Sequence, residues 1–386
     1  MFLPFIFNTI TWEQRKLGEL GYTFNGLNGK SKDDFGHGSA KYITYMNVYK
    51  NPIATLEELD LIEIDKSQNE IKKGDILFTT SSETPEEVGL SSVWMYEITN
   101  IYLNSFCFGF RLEQKISINY MAYMLRSNSI RNKITLLAQG ISRYNISKKG
   151  MMNIEVFLPS YAEQTQIGNF FKQLDDTIAL HQRELEKFKI LKTSYLENIF
   201  LGKVSLFTAK NTITWEQRKL GEVVNVLDNL RIPIAASQRL EGVTPYYGAN
   251  GIQGYIDGFT HDGEFVLVAE DGANDLINYP VQYVLGKVWI NNHAHVLQGI
   301  KNVANNLFLV YRIKSMDMTK YLVGGGRTKL NASVMKDIEL HLPNYAEQTQ
   351  IGNFFKQLDD TITLHQKELA KYQQIKAACL EKMFVE

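Results

Sequence analysis

The sequence predicts an α+β chain built twice: two mixed β/α domains in an internal pseudo-twofold repeat, each closed by one long helix. Three observations carry that expectation. Residues 161–200, YAEQTQIGNFFKQLDDTIALHQRELEKFKILKTSYLENIF, return with few changes at 345–384. The segment TITWEQRKLGE stands at 9–19 and again at 212–222. Between each head and its tail lies a different insert, rich in short strand patterns.

In chain order, the N-terminal MFLPFIF is apolar but short, without the basic start and small-residue cleavage site of a secretory leader. In the first insert the β-branched and aromatic runs predict strands near 42–48, 76–80, 93–98 and 105–112. A helical stretch follows over 119–139, then a loop over 140–149 and a strand over 154–158. The second insert predicts strands near 254–256, 265–269, 281–284, 287–290 and 307–313, with a late loop over 324–331 (GGGRTKLN). Arg143 and Arg327 stand at the same interval before the repeated Tyr161 and Tyr345. The two dissimilar inserts therefore end alike.

Each repeated tail reads as one long helix. Ser160 with Glu163, and Asn344 with Glu347, fit a capping box, and Gly202 offers a left-handed stop to the first copy. Ile167, Phe171, Leu174, Ile178, His181, Leu185, Phe188, Lys192, Tyr195 and Ile199 alternate four and three apart, as do Ile351, Phe355, Leu358, Ile362, His365, Leu369, Tyr372, Lys376, Cys379 and Met383. That spacing is a heptad seam. A helix of about 40 residues is about 60 Å long, and so narrow a stripe needs another helix over it. The other copy is the natural partner, within one chain or between two. Ile167, Phe171, Leu174, Ile178, Leu185, Ile351, Phe355, Leu358, Ile362 and Leu369 are the expected packing residues. His181 and His365 lie on the seam, where a polar group fixes register, while Asp175-Asp176 and Asp359-Asp360 lie off it and read as solvated or partner-facing.

Composition bounds the rest. A chain of 386 residues with 44% apolar content has room for two or three folded domains. The net charge of -1 excludes a protein coated in basic residues. Cys107 and Cys379 form no Cys-x-x-Cys pair and read as reduced thiols. No run is long enough to span a bilayer, so we expect a cytoplasmic protein with no membrane partner.

Charge is nevertheless local. Residues 111–150 hold eight basic residues against the single acid Glu113, and 287–336 hold eight against Asp317 alone. The same bias at the same place in two unlike inserts points to a polyanion. The late loops add glycine for close approach, with Arg and Asn to bridge base edges. Thr80, Ser81 and Ser82, then Arg143, Tyr144, Asn145, Lys148 and Lys149, are the candidate DNA-binding residues of the first insert. Those of the second are Tyr247, Asn250, Asn274, Asn292, His293, Arg327 and Lys329.

Catalytic signatures are missing. Phe24 stands where a phosphate-binding loop ending at Gly29-Lys30-Ser31 needs its first glycine. Asn51-Pro52-Ile53 is the nearest approach to an adenine-methyltransferase motif. Asp65, Glu70 and Lys72 suggest a metal nuclease only weakly, because 72–75 reads as a turn and the second insert has no equivalent. His293 and His295 lack a nearby Cys or third His, so they read as core or groove residues; no metal or cofactor is expected.

Two variable inserts, each ending in a Leu-Pro-x-Tyr-Ala-Glu-Gln-x-x-Ile helix start and headed by Trp-Glu-Gln-Arg-Lys-Leu-Gly-Glu, resemble the specificity subunit of type I restriction-modification systems over nearly the whole chain. The resemblance implies two mostly β/α target recognition domains separated by two long antiparallel coiled-coil helices. It places target recognition domains at 1–160 and 206–343, and spacer helices at 161–205 and 344–386. It also implies double-stranded DNA as ligand, each domain reading one half of a split, asymmetric site. Two methyltransferase subunits would be held by the helices and repeats, with restriction or motor subunits joining through them. S-adenosylmethionine, ATP and magnesium would belong to those partners, and this chain would be a non-catalytic reader. Two other readings stand beside it: a coiled-coil scaffold that binds only proteins, and a self-sufficient DNA-modifying enzyme.

Overall fold

A computed structural model of the chain describes residues 12–201, 215–324 and 328–384. Gly202 therefore lies outside the described residues. The two repeated tails are single helices, Tyr161–Phe200 and Tyr345–Lys382. Ser160 Oγ accepts from the Glu163 N–H at 3.3 Å and Asn344 Oδ1 from the Glu347 N–H at 3.0 Å. Among the described residues the reciprocal half of the capping box does not form, and burial raises the Glu347 carboxyl's pKa. Each helix thus starts on a polar cap at the end of a strand.

The chain divides into two compact units, one formed by the residues up to His181 with those from Glu368 onward, the other by Gln182–Lys367. Each unit holds one insert, the first half of the long helix that follows it and the second half of the other long helix. Within each unit the two halves run antiparallel. In the first unit His181 stacks on Tyr372, Phe171 on Phe384, and Lys376 reaches Asp175 at 2.5 Å. In the second, Phe188 stacks on His365, Phe200 on Phe355, and Lys192 reaches Asp359 at 2.5 Å. These are the same contacts made by equivalent residues, so the pairing lies within one chain.

Asp175 and Asp359 are therefore not merely solvated. The Tyr123 hydroxyl donates to Asp175 at 2.9 Å and the Tyr311 hydroxyl to Asp359 at 2.8 Å, tying each insert to its helix. Gln164 and Gln348 repeat the lesson: each accepts from the backbone at the start of a short insert helix, Ser117 N–H or Asn305 N–H, both at 3.0 Å. Ile167, Phe171 and Leu174 are buried in the first unit, and Ile351, Phe355 and Leu358 in the second; Ile178, Leu185, Ile362 and Leu369 are half-buried.

The repeated heads meet the tails in space. Glu13–Lys16 pairs antiparallel with Glu155–Leu158, and Glu216–Lys219 with Glu339–Leu342. The inserts themselves differ. The first has a four-stranded sheet (Gly21–Asn25, Cys107–Leu112, Ile76–Thr79, Ser91–Val93) and a three-stranded one (Leu59–Ile62, Phe35–Ile43, Ile101–Leu103). The second has one six-stranded sheet whose centre is His261–Ala269 between Ala294–Gly299 and Val281–Ile290.

Five local expectations are corrected, the first being the strand near 93–98, which is Ser91–Val93 with residues 94–98 in no strand. Residues 45–50 turn helical, because Thr44 Oγ1 accepts from the Asn47 N–H and starts Tyr45–Lys50. The stretch 119–139 breaks into Ile118–Met124 and Asn128–Thr135, the second started by Ser127. Residues 281–290 are one strand that passes through Gly286 at φ +86°. The run at 307–313 is the helix Asn306–Lys314, not a strand; it is buried on nearly every side, so it shows no polar face to betray its period.

Candidate nucleic-acid interface

The first unit gathers its candidate residues at one place. Ser81–Ser82 pairs antiparallel with Tyr144–Asn145, and the Ile146 N–H donates to the Thr80 carbonyl at 3.0 Å. Thr80 donates its N–H and its hydroxyl to the Phe106 carbonyl, at 2.9 and 2.8 Å. The Arg143 guanidinium lies 5.7 Å from the centre of the exposed Phe106 ring. Lys148 lies 5.7 Å from that of Phe108 and donates to Asn25 Oδ1. Arg143, Asn145 and Lys149 are exposed, whereas Ser81 and Ser82 are buried and serve the pairing.

The late loop is closed by two backbone bonds, Gln139 N–H to Asn145 O at 2.9 Å and Asn145 N–H to Gln139 O at 2.8 Å. Gly140 stands at φ +147°, where an added Cβ would meet the Arg143 carbonyl oxygen at 2.0 Å. Only glycine fits there.

The second unit closes its late loop with the same device: Val323 and Lys329 exchange backbone bonds of 2.9 and 2.8 Å. Residues 139 and 145 have the spacing of 323 and 329, and stand at the same interval before their long helices. Arg327 lies outside the described residues. Around the loop, Asn250 donates to the Gly272 carbonyl at 2.9 Å and accepts from the Asn274 N–H at 3.0 Å. The His293 N–H donates to Asn291 Oδ1, and its ring Nδ1 lies 2.5 Å from Asp271 Oδ1. Asn274 and Asn292 are exposed, and Tyr247 is half-buried beside Ile290 in the sheet. Asn250 thus shapes a loop with its whole amide, leaving Asn274, Asn292 and Lys329 more open to solvent.

A charged network anchors this loop from below. His295 is buried, with Nδ1 2.6 Å from Asp228 Oδ2 and Nε2 2.8 Å from the Leu330 carbonyl. Arg231 contacts Glu270 at 2.6 Å and Asp228 at 3.4 Å, and Lys329 reaches Glu270 at 3.0 Å. Burial, the largest single influence, pushes both carboxyls' pKa values upward; the His295 and Val296 bonds with nearby positive charge at Asp228, and the Arg231 and Lys329 bonds with nearby positive charge at Glu270, together outweigh it, so both end lowered. Asp228, Glu270 and His295 bring donor atoms within 4.8 Å of one another, close enough to hold a metal ion. Arg231 and Lys329 already neutralise those carboxylates, and both His295 nitrogens face oxygen acceptors, so the cluster is satisfied as an ion network.

The basic tracts need revision. Arg126 is half-buried and donates to the carbonyls of Ser91, Val48, Tyr49, Asn51 and Lys50 at 2.6 to 3.4 Å, capping the helix Tyr45–Lys50. Arg131 donates to the carbonyls of Gly89, Glu86 and Val88, Arg111 to Asp75, and Lys133 to Glu155. Arg312 is half-buried and Lys314 exposed, and loss of hydration lowers both pKa values. Much of the first tract is therefore internal staple, leaving Lys115, Arg143 and Lys149 exposed and Lys148 half-buried, whereas Lys287, Lys301, Lys314, Lys320, Lys329 and Lys336 of the second tract are all exposed.

Sequence reading missed Tyr49 and Glu87. The Tyr49 hydroxyl donates to Glu87 Oε1 at 2.5 Å, and Ser82 Oγ donates to Glu87 Oε2 at 3.0 Å, beside the Ser82–Tyr144 pair. An acid in a polar loop gives no signal of that contact. Among the described residues no helix is long and apolar enough to cross a membrane.

Comparison with known proteins agrees with the duplication. The chain matches the family described as type I restriction modification DNA specificity domain twice, over residues 9–189 and 212–374. It is 45% identical over 136 residues to a Haemophilus influenzae protein carrying the name type I restriction enzyme specificity subunit S.HindORF215P; that match covers 35% of this chain and spans only 35% of the relative's own length. It is 22% identical over 380 residues to the Salmonella potsdam type I restriction enzyme StySPI specificity subunit, covering 90% of this chain and 82% of that one. In fold it is similar to the crystal structure of the type I restriction-modification S subunit from M. genitalium, with a TM-score of 0.68, 18% identity, and coverage of 99% and 98%.

Proposed function

Because this chain belongs to the type I restriction modification DNA specificity domain family, we propose that it is the DNA-reading subunit of such a complex, and that it does no chemistry of its own. The observation that carries this reading is the late loop. Two unlike inserts close it with the same pair of backbone bonds at the same distance from a repeated helix. A shared presentation of different side chains is what two readers of different half-sites need.

Arg143, Lys148 and Lys149 in one unit, with Arg327 and Lys329 in the other, grip phosphates, and exposed polar residues such as Asn145, Asn274 and Asn292 read base edges in the groove. The paired helices set the interval between half-sites, with the target recognition domains at 1–160 and 206–343 and the spacer helices at 161–205 and 344–386. Two methyltransferase subunits dock on the repeated surfaces, and restriction subunits join through them. The partners bring their own cofactors.

The test is binding of the assembled complex to duplex DNA at two salt concentrations. Phosphate contact predicts a steep fall in affinity with salt, with a log-log slope of about 0.9 per phosphate neutralised. A coiled-coil scaffold predicts no such binding. The purified chain given S-adenosylmethionine, ATP and magnesium leaves DNA unmodified and uncut; any turnover would favour the self-sufficient enzyme.

A further inference from the structure

Glu87 is an acid where a polyanion-binding surface should have none. Its two oxygens are held apart by Tyr49 and Ser82, and both supports are themselves fixed. Tyr49 stacks on Tyr45 at 6.0 Å, and its carbonyl accepts from Arg126 at 2.9 Å. Ser82 is buried in the strand pair with Tyr144. The bond from Tyr49, then that from Ser82, holds the carboxyl below its usual pKa, so it is ionised at neutral pH.

Among the described residues Glu87 forms no ion pair. A half-buried carboxylate with neutral partners gains nothing from a nearby phosphate and is repelled by it. With Thr84 bonding the carboxylate beside Tyr49 and Ser82, three of its four lone-pair positions are taken and one is left for a further donor, and the loop carrying Arg143 and Asn145 stands alongside. What such a group recognises is a donor without a neighbouring acceptor. Cytosine offers that in the major groove through its N4 amine, whereas adenine sets N7 beside its amine and thymine and guanine present acceptors.

We propose that Glu87 is a specificity-determining residue of the first unit, accepting a hydrogen bond from the N4 amine of a cytosine. The inference rests on the DNA-reading function proposed above. A thymine at that position would turn its O4 toward the carboxylate, acceptor against acceptor. Discrimination of about 5- to 150-fold follows from one such contact.

The experiment compares genome-wide adenine methylation by the full complex carrying the wild-type chain, Glu87→Gln or Glu87→Ala. The result expected is a wild-type half-site containing a C·G pair whose preference falls toward none in both variants, with the other half-site still read. Survival of the second half-site also shows that the variant folds and assembles. An unchanged motif, relaxation at an A·T pair, or loss of methylation at the whole site by an assembled complex overturns the assignment. If the wild-type chain directs no split motif at all, the DNA-reading function itself fails, which separates the two ideas.

Discussion

Replacing Arg126 by Met and replacing Lys148 with Lys149 by Ala should have opposite signatures, although the sequence puts all three in one basic tract. Arg126 donates to five carbonyls, three of them within 2.9 Å. Burial brings its pKa down to about 10, so it is charged at neutral pH. Its loss strands part-buried carbonyls, at about 1–3 kcal/mol each, and we expect about 3–5 kcal/mol in all because such losses are not additive. In a unit of roughly 200 residues that lowers the melting temperature by about 6–20 °C. The salt slope of DNA binding by the assembled complex should not move. The double lysine variant should leave melting near wild type and reduce the slope by about 1.8, two contacts at about 0.9 each. Calorimetry of the chain and titrations of the complex over a salt series make both measurements. An Arg126→Met chain that melts as wild type but loses salt dependence would refute the division between staple and surface.

Other outcomes follow from the same contacts. Asp359→Asn removes the ion partner of Lys192 and weakens the Tyr311 bond, and should destabilise the second unit by about 1–3 kcal/mol in urea unfolding; Asp175→Asn should do the same to the first. Burial lowers the pKa of His261, so the unfolded chain takes a proton that the folded one resists. Stability is then full above about pH 6.5 and falls as pH drops below it, and His261→Gln should flatten the urea midpoint over that range. Asp228 contributes lower on the scale: its depressed pKa gives stability above the usual carboxylate range that is lost as pH falls through the lowered value. Arg327→Ala should relax or abolish one half-site only, and methylation mapping that finds both halves intact would count against its role.

What the sequence made legible was set by repetition. Once 161–200 and 345–384 are seen as copies, capping residues, heptad seam and helix length follow from a period that nothing interrupts, and both helices occur where that period places them. The inserts carried no such redundancy. Phe308, Leu309, Tyr311 and Ile313 look like a strand because nearly every side of their helix is covered, and tertiary burial erases the polar stripe that reveals a helix. The helix at 45–50 depends on Arg126, distant in sequence, to cap it. For the same reason the basic tract misled: a guanidinium's charge is visible in a sequence and its carbonyl partners are not. The late loops were recognisable as loops, but their common closure at 139/145 and 323/329 required backbone geometry.

The most direct measurement is genome-wide adenine methylation in cells that carry the partner methyltransferase, with and without this chain. A split, asymmetric motif should appear only when the chain is present, one half assignable to each unit. An assembled complex that adds no new motif would contradict that and leave the helices as a scaffold for proteins alone.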